Sequence, residues 1–303
     1  MSAQGSQIPC DNRAYQDAAV HVPAPLRISL VTNVSLLDEA RFRHTVPSWM
    51  RVFGSHLSEL VVIVDGSRPT GRIAAAQGPV PERAEFQRGL ARLAQLDPRV
   101  RIVWLPEEPA LEPTARRWFV RGRPLRCQAG TPILAFAYAL ESASSPIVLR
   151  CDCDMLFFEN GWLEEGCAQL RAGRALIVEP GRLGSDHETT LSTRAMLTRP
   201  LELKRQLLPM RAHRLGLVRR LHRRLQSRPS WLALEQMLEI ERRRGRLEHL
   251  ILPESLGYSV HVATRADAAS PGFERCVGAI EAGAVPAAQA RSWNFLRDAW
   301  ACA

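Results

Sequence analysis

The chain reads as an α/β protein built on an open, mostly parallel sheet flanked by helices, and three observations carry that reading. Apolar runs of strand length, rich in β-branched residues, recur at 26–33, 59–64 and 100–105. Stretches of helical character separate them. The runs are nearly continuous in apolar residues rather than alternating, which marks strands covered by helices on both faces.

Taken in order, residues 1–25 form a flexible segment that lacks a basic start followed by an apolar core, so no signal peptide is expected. The first strand ends at Asn33, and a helix is expected over 38–53. The second strand ends at Asp65-Gly66-Ser67, a helix spans 82–96, and the third strand follows. Around 130–140 the Thr131-Pro132 opening predicts a helix with Thr131 as N-cap and Pro132 at its first position. A short apolar run after Pro146 is a fourth buried strand, ending in Arg150-Cys151-Asp152-Cys153-Asp154. A helix over 161–172 and a strand over 175–179 come next. From Pro180 onward the pattern is one of helices and loops, including a helix from Trp231 to about Arg244.

With 303 residues and 46% apolar composition the chain can bury a substantial core. No run reaches the ~18 apolar residues of a membrane span. Seven cysteines at irregular spacing fit a reducing cytoplasm. The formal charge of +9 suits an anionic ligand. Lys204 is the only lysine, however, so the charge reflects a general arginine bias and no nucleic-acid partner is expected.

The chemistry concentrates at the fourth strand. Side chains alternate along an extended chain, so Asp152 and Asp154 are expected on one side and Cys151 and Cys153 on the other. Two neighbouring carboxylates repel unless a cation or a donor-rich ligand settles them, and a divalent metal is the economical answer. A solvated turn after the strand is the plain alternative. Ligands of open α/β sheets lie outside the carboxyl ends of the strands, which gathers Asn33, Asp65 and Asp152 at one rim. Asp65 before Gly66 also has the composition of a simple turn. The two cysteines do not make a zinc site, because no second close pair exists and the aspartates prefer harder cations.

The order of these motifs, from Val62-Ile63-Val64-Asp65-Gly66-Ser67 to Val148-Leu149-Arg150-Cys151-Asp152-Cys153-Asp154, resembles the family-two glycosyltransferases of the GT-A fold. The resemblance covers roughly residues 26–180 and continues more faintly to about 265. It implies a nucleotide-sugar-binding half at 26–180, and an acceptor-binding half with C-terminal helices at 181–303. It assigns Asp65 to the nucleotide, Asp152 to ribose and Asp154 to the metal. Gly257-Tyr258-Ser259-Val260-His261 looks like the family segment that brings a histidine to the metal, which gives His261 that role; spacing alone reads it as an ordinary strand histidine. Trp231-Leu232-Ala233-Leu234-Glu235-Gln236-Met237 looks like the acidic acceptor-side motif, with Gln236 where a second acid is common. Glu235 is then the implied base, and the plain reading of it is a charge that stabilises a helix start.

The implied activity moves a sugar from a nucleotide-diphosphate donor, most simply a UDP-sugar, to a small-molecule, glycan or carrier-bound acceptor, with inversion and with Mn²⁺ or Mg²⁺. Oxygen ligands suit these ions, and the charge they bring stabilises a departing diphosphate. Arg194 is a candidate contact to phosphate or acceptor, or a surface arginine. A nucleotidyltransferase shares the topology but wants a glycine-rich loop and a lysine after the first strand, where Thr32-Asn33-Val34-Ser35 has neither. A non-catalytic nucleotide-binding or partner-binding protein is the other alternative. Finally, Arg211, Arg214, Arg219, Arg220, Arg223, Arg224 and Arg228 surround Leu217, Val218, Leu221 and Leu225 in a basic amphipathic stretch over 211–228. Such a stretch suits an acidic carrier protein, an anionic acceptor or surface, or plain solvent.

Overall fold

The computed structural model describes residues 27–67, 82–120, 125–127, 132–157, 160–182, 189–225, 230–251, 259–261 and 271–282. Strand β1 (Ile28–Ser35) is followed by α1 (Glu39–Phe53), β2 (Leu57–Asp65), α2 (Arg83–Leu96) and β3 (Val100–Trp104). Helix α3 (Glu108–Trp118), the two-residue β4 (Phe119–Val120) and α4 (Leu134–Ser142) lead to β5 (Val148–Asp152). After a tight turn come β6 (Met155–Phe157), α5 (Gly161–Arg171), β7 (Leu176–Arg182), β8 (Thr189–Thr198) and α6 (Pro200–Leu207). The remaining described elements are β9 (Met210–Arg211), α7 (Leu217–Leu225), α8 (Leu234–Arg243), β10 (His249–Ile251), β11 (Ser259–His261) and α9 (Pro271–Glu281).

The main sheet has seven strands in the order β10-β7-β8-β5-β1-β2-β3. Strands β5, β1, β2 and β3 are mutually parallel, β10 is parallel to β7, and β8 is antiparallel to both its neighbours. The expected open, mostly parallel α/β sheet flanked by helices is therefore the architecture of the protein. The strand side chains divide between two cores by alternation. Leu30, Val34, Leu60, Val62 and Leu149 pack with Phe42 and Trp49 of α1, Phe86 of α2 and Trp162 of α5. Val31, Val61, Ile63 and Val148 pack on the other face with Trp118 of α3, Phe136 of α4, Leu203 of α6 and Met237 of α8. Continuous apolar strands are the consequence of burial on both faces.

The largest departure from the sequence expectation lies after Pro180. Rather than only helices and loops, this part contains β8, ten residues long, which joins β5 and extends the sheet with β7 and β10. The halves at 26–180 and 181–303 thus share one sheet. The 231–244 helix begins at Leu234, because Trp231 is drawn into backbone bridges with Cys127 and Arg214 and Ala233 is extended. Helix α4 likewise starts at Leu134. Pro132 bridges Arg126, and the Ile133 N–H donates to the Leu125 carbonyl at 3.0 Å, so Pro132 is held outside the helix. Of the 211–228 stretch, Leu217–Leu225 is helical and Met210–Arg211 pairs as a strand with β4. The N-terminal segment 1–25, Gly130, Thr131, Arg228 and the Gly257-Tyr258 part of the histidine segment lie outside the described residues.

Candidate active site

The chain runs outward from β1 through β2 to β3, then crosses back to place β5 on the opposite side of β1. That reversal of strand order makes the β1–β5 boundary a topological switch point, the part of the carboxyl rim where ligands of open α/β sheets lie. In register, Asn33 of β1 stands beside Asp152 of β5, and Ser35 of β1 stands beside Asp65 of β2. Asn33, Asp65 and Asp152 therefore share the carboxyl rim of three adjacent strands. Among the described residues, Asn33 Oδ1 and Thr32 Oγ1 are buried and accept or donate no hydrogen bond. Buried polar atoms are seldom left so, and an orphan acceptor costs about 1–3 kcal/mol unless a ligand or water meets it.

At the β2 end the Asp65 carboxylate accepts hydrogen bonds from the Ser67 N–H at 3.1 Å and the Ser67 hydroxyl at 2.6 Å. Arg126 also reaches it, with N–O separations of 3.2 and 3.4 Å, and bonds the Ser67 hydroxyl. Asp65 is thus both a turn former and one half of a largely buried ion pair. Gly66 is required by close approach: a Cβ there would lie 2.9 Å from the ring of Trp104, the half-exposed residue that ends β3.

The Asp152–Asp154 pair differs from the alternation read in the sequence. Cys153 and Asp154 form a turn between β5 and β6, so Asp154 leaves the strand pattern. Each aspartate meets its own guanidinium: Asp152 Oδ1 lies 2.6 Å from Arg150, and Asp154 Oδ2 accepts from Arg41 at 3.0 Å. The repulsion that suggested a shared cation is balanced by two arginines from different elements. Arg150, two residues before Asp152, was legible from strand period alone.

Helix α1 grips this turn through residues four apart, which lie on one face of a helix. Arg41 takes Asp154, the Thr45 hydroxyl donates to the Cys153 carbonyl at 2.7 Å, and the Trp49 indole N–H donates to the Met155 carbonyl at 2.7 Å. Phe53 continues the row with its ring 5.0 Å from that of Phe157. Asp38, just before the helix, accepts from the Ser35 N–H and hydroxyl at 2.7 Å and lies 3.6 Å from Arg41. Burial pushes the Asp38 carboxyl above its ordinary range, against the pull of Arg41. Burial also pushes the Cys153 thiol well up, and the nearby Asp38 and Asp154 charges add to that shift.

The remaining candidates lie around this turn at varying removes. The β5–β8 ladder pairs Cys151 with Ala195, and continued by one residue it sets the half-buried Arg194 beside Asp152. Strand β11 runs antiparallel to β6 and pairs His261 with Met155, the residue after Asp154. Glu235 is half-buried in the first turn of α8, a helix that packs on β8. Gln236 has a structural task there, since its side-chain oxygen accepts the Ala233 N–H at 3.2 Å and caps the helix start. Glu239 is held by Arg242 and Arg243 at 2.7–2.8 Å, and Glu241 by Arg244 at 3.2 Å and Arg246 at 2.8 Å. Those two acids stabilise the end of the helix, which separates them from Glu235.

Among the described residues, no group of three or more His, Cys, Asp or Glu side chains is arranged to hold a metal. The donor chemistry of Asp152 and Asp154 still fits a hard cation, because each carboxylate has more acceptor sites than its arginine uses.

No family model and no curated protein matches the chain. Solved structures with a similar chain path include a galactosyltransferase, LgtC, in complex with donor and acceptor sugar analogues, at 15% identity and a TM-score of 0.37. That match covers 59% of this chain and 60% of LgtC. Mouse xyloside xylosyltransferase 1 matches at 13% identity and a TM-score of 0.41, over 75% of this chain and 85% of that one. S. aureus TarS 1–349, in complex with UDP-GlcNAc, matches at 12% identity and a TM-score of 0.38, over 61% of this chain and 48% of that one. The chain path thus has glycosyltransferase neighbours, at identities too low to carry a function across.

Proposed function

We propose that the protein is a glycosyltransferase that takes a sugar from a nucleoside-diphosphate donor. The observation that carries this reading is the pairing of Asn33 with Asp152 across the switch point of the sheet, with Asp65 at the adjoining strand end. In this reading the nucleoside lies along the rim. Asp65 and the buried Asn33 Oδ1 accept from its base or ribose, and Asp152 accepts from a ribose hydroxyl. The diphosphate then points toward the Asp154 turn, where Arg194 adds a guanidinium at the level of Asp152. Asp154 and His261 would hold Mn²⁺ or Mg²⁺, which supplies positive charge for the departing diphosphate. Glu235 accepts the proton that the acceptor hydroxyl or amine loses as it attacks the anomeric carbon, so transfer is a single displacement with inversion. The clamp of α1 on the turn keeps Asp152 and Asp154 in place, which is how a rigid site lowers reorganisation during reaction.

The test is release of nucleoside diphosphate from UDP-, GDP- and TDP-sugars by the wild-type protein and by Asp152→Asn. Turnover of one donor class that collapses in the variant is the expected result. Nucleotide binding without release from any donor, over a panel of hydroxyl and amine acceptors, would leave a binding protein in place of the enzyme.

A further inference from the structure

Helix α7 (Leu217–Leu225) stands apart from both cores. The chain leaves the body at His213–Leu215 and returns at Ser230–Leu232, and these two segments are tied to each other. The Leu215 N–H donates to the Ser230 carbonyl and the Leu232 N–H to the His213 carbonyl, each at 2.9 Å. Arg214 stacks on the Trp231 ring at 4.1 Å. Helix α7 follows directly on the first of these tied segments. On it, Leu217 is 61% exposed, Val218 80%, Leu221 51% and Leu225 87%. At ~100° per residue these four fall within an arc of about 100°. Arg219, Arg220, His222, Arg223 and Arg224 take the rest of the circumference, and the helix contains no acidic residue. A solvated helix does not collect its apolar side chains into one exposed stripe, and a helix of two and a half turns is marginal unless that stripe is covered.

We propose that α7 docks the protein on an anionic lipid surface, with Leu217, Val218, Leu221 and Leu225 in the acyl boundary and the arginines at the headgroup level. Charge complementarity selects this occupant: every charge on the helix is basic, and the long arginine stems that flank the stripe reach up from an apolar seat to phosphate. The attachment is interfacial, since among the described residues no helix is long and apolar enough to cross a membrane. The inference stands independently of glycosyl transfer. It has one consequence for it: the tied segment Ser230–Leu232 continues directly into α8, so docking brings the Glu235 end of the site toward the surface.

The experiment is co-sedimentation of the full chain with phosphatidylcholine vesicles, with and without phosphatidylglycerol, over a range of salt. Wild-type protein should partition onto the anionic vesicles alone and be released by salt. Val218→Ser with Leu225→Ser should abolish stable attachment at any salt. Arg219→Gln, Arg220→Gln and Arg224→Gln together should weaken it by about a hundredfold, at about fivefold per arginine. All five side chains are wholly or partly exposed, so unchanged circular dichroism is expected in both variants. The proposal is overturned if wild-type protein ignores anionic vesicles, or binds neutral and anionic ones alike. Concentration-dependent dimerisation through this face, or retention on polyglutamate without vesicle binding, would equally replace it with a protein partner.

Discussion

Asp154 and Arg41 form the most consequential pair in the molecule, because a nearly buried guanidinium holds the carboxylate to which the family resemblance gives the metal. Their side chains are 14% and 5% exposed. Removing one partner of such a pair strands the other, so Arg41→Met should cost about 3–5 kcal/mol in a denaturant melt. Milder loss would mean that Asp154 is already solvated. Glu235 is tested differently. Glu235→Gln should lower turnover by about 10²–10⁴-fold with donor affinity nearly unchanged. Glu239→Gln, which weakens the Arg242 and Arg243 pairs near the end of the helix, should reduce stability and spare turnover. Equal collapse of turnover in both, or of neither, would remove Glu235 from the mechanism. At this scale the rim residues were legible, because Asn33, Asp65 and Asp152 each end an apolar run. Apart from Arg150, the arginines that meet the aspartates were harder to read, because arginine is so common here that no single one stands out, and Arg41 and Arg126 reach Asp154 and Asp65 across 113 and 61 residues of chain.

Among the elements, α1 matters most to the site, since Arg41, Thr45, Trp49 and Phe53 each hold a residue of the Cys153–Phe157 segment. Trp49→Phe keeps the ring but removes the indole donor, leaving the Met155 carbonyl unpaired in a buried place. A loss of about 1–3 kcal/mol is expected, accompanied by weaker nucleotide binding as the aspartate turn loosens. Unaltered binding in a destabilised protein would make the row of contacts purely structural. The row was readable in the sequence as four suitable residues at helical spacing, yet what it touches was not, because period says nothing about partners. Strand β8 escaped for a different reason. Its polar sequence, Thr-Thr-Leu-Ser-Thr-Arg-Ala-Met-Leu-Thr, lacks the apolar continuity that revealed the parallel strands. Its four threonines suit a strand, but what fixes it as one is pairing with β5 and β7 on both sides.

The whole molecule is a two-sided sheet whose opposite rim is tied down electrostatically, which gives its stability a pH dependence. Burial alone would push the Glu59 carboxyl up, but donors from Ser29, Ser144 and Arg101 outweigh it and hold it below the ordinary glutamate range. A depressed carboxyl contributes stability that is complete above its unfolded value, and loses it as pH falls through the folded one. Acid unfolding of wild-type protein should therefore steepen below about pH 4.3, and Glu59→Gln should flatten that part of the profile. The function of the molecule, however, turns on what the carboxyl rim binds. The most direct measurement is titration calorimetry of UDP, GDP and TDP, with and without Mn²⁺, into the wild-type protein, Asp65→Asn and Asp152→Asn. One nucleotide should bind the wild type and lose about tenfold or more in affinity with each substitution, as expected when a buried charge-assisted hydrogen bond is removed. Failure of all three to bind, or affinity indifferent to both aspartates, would contradict the site.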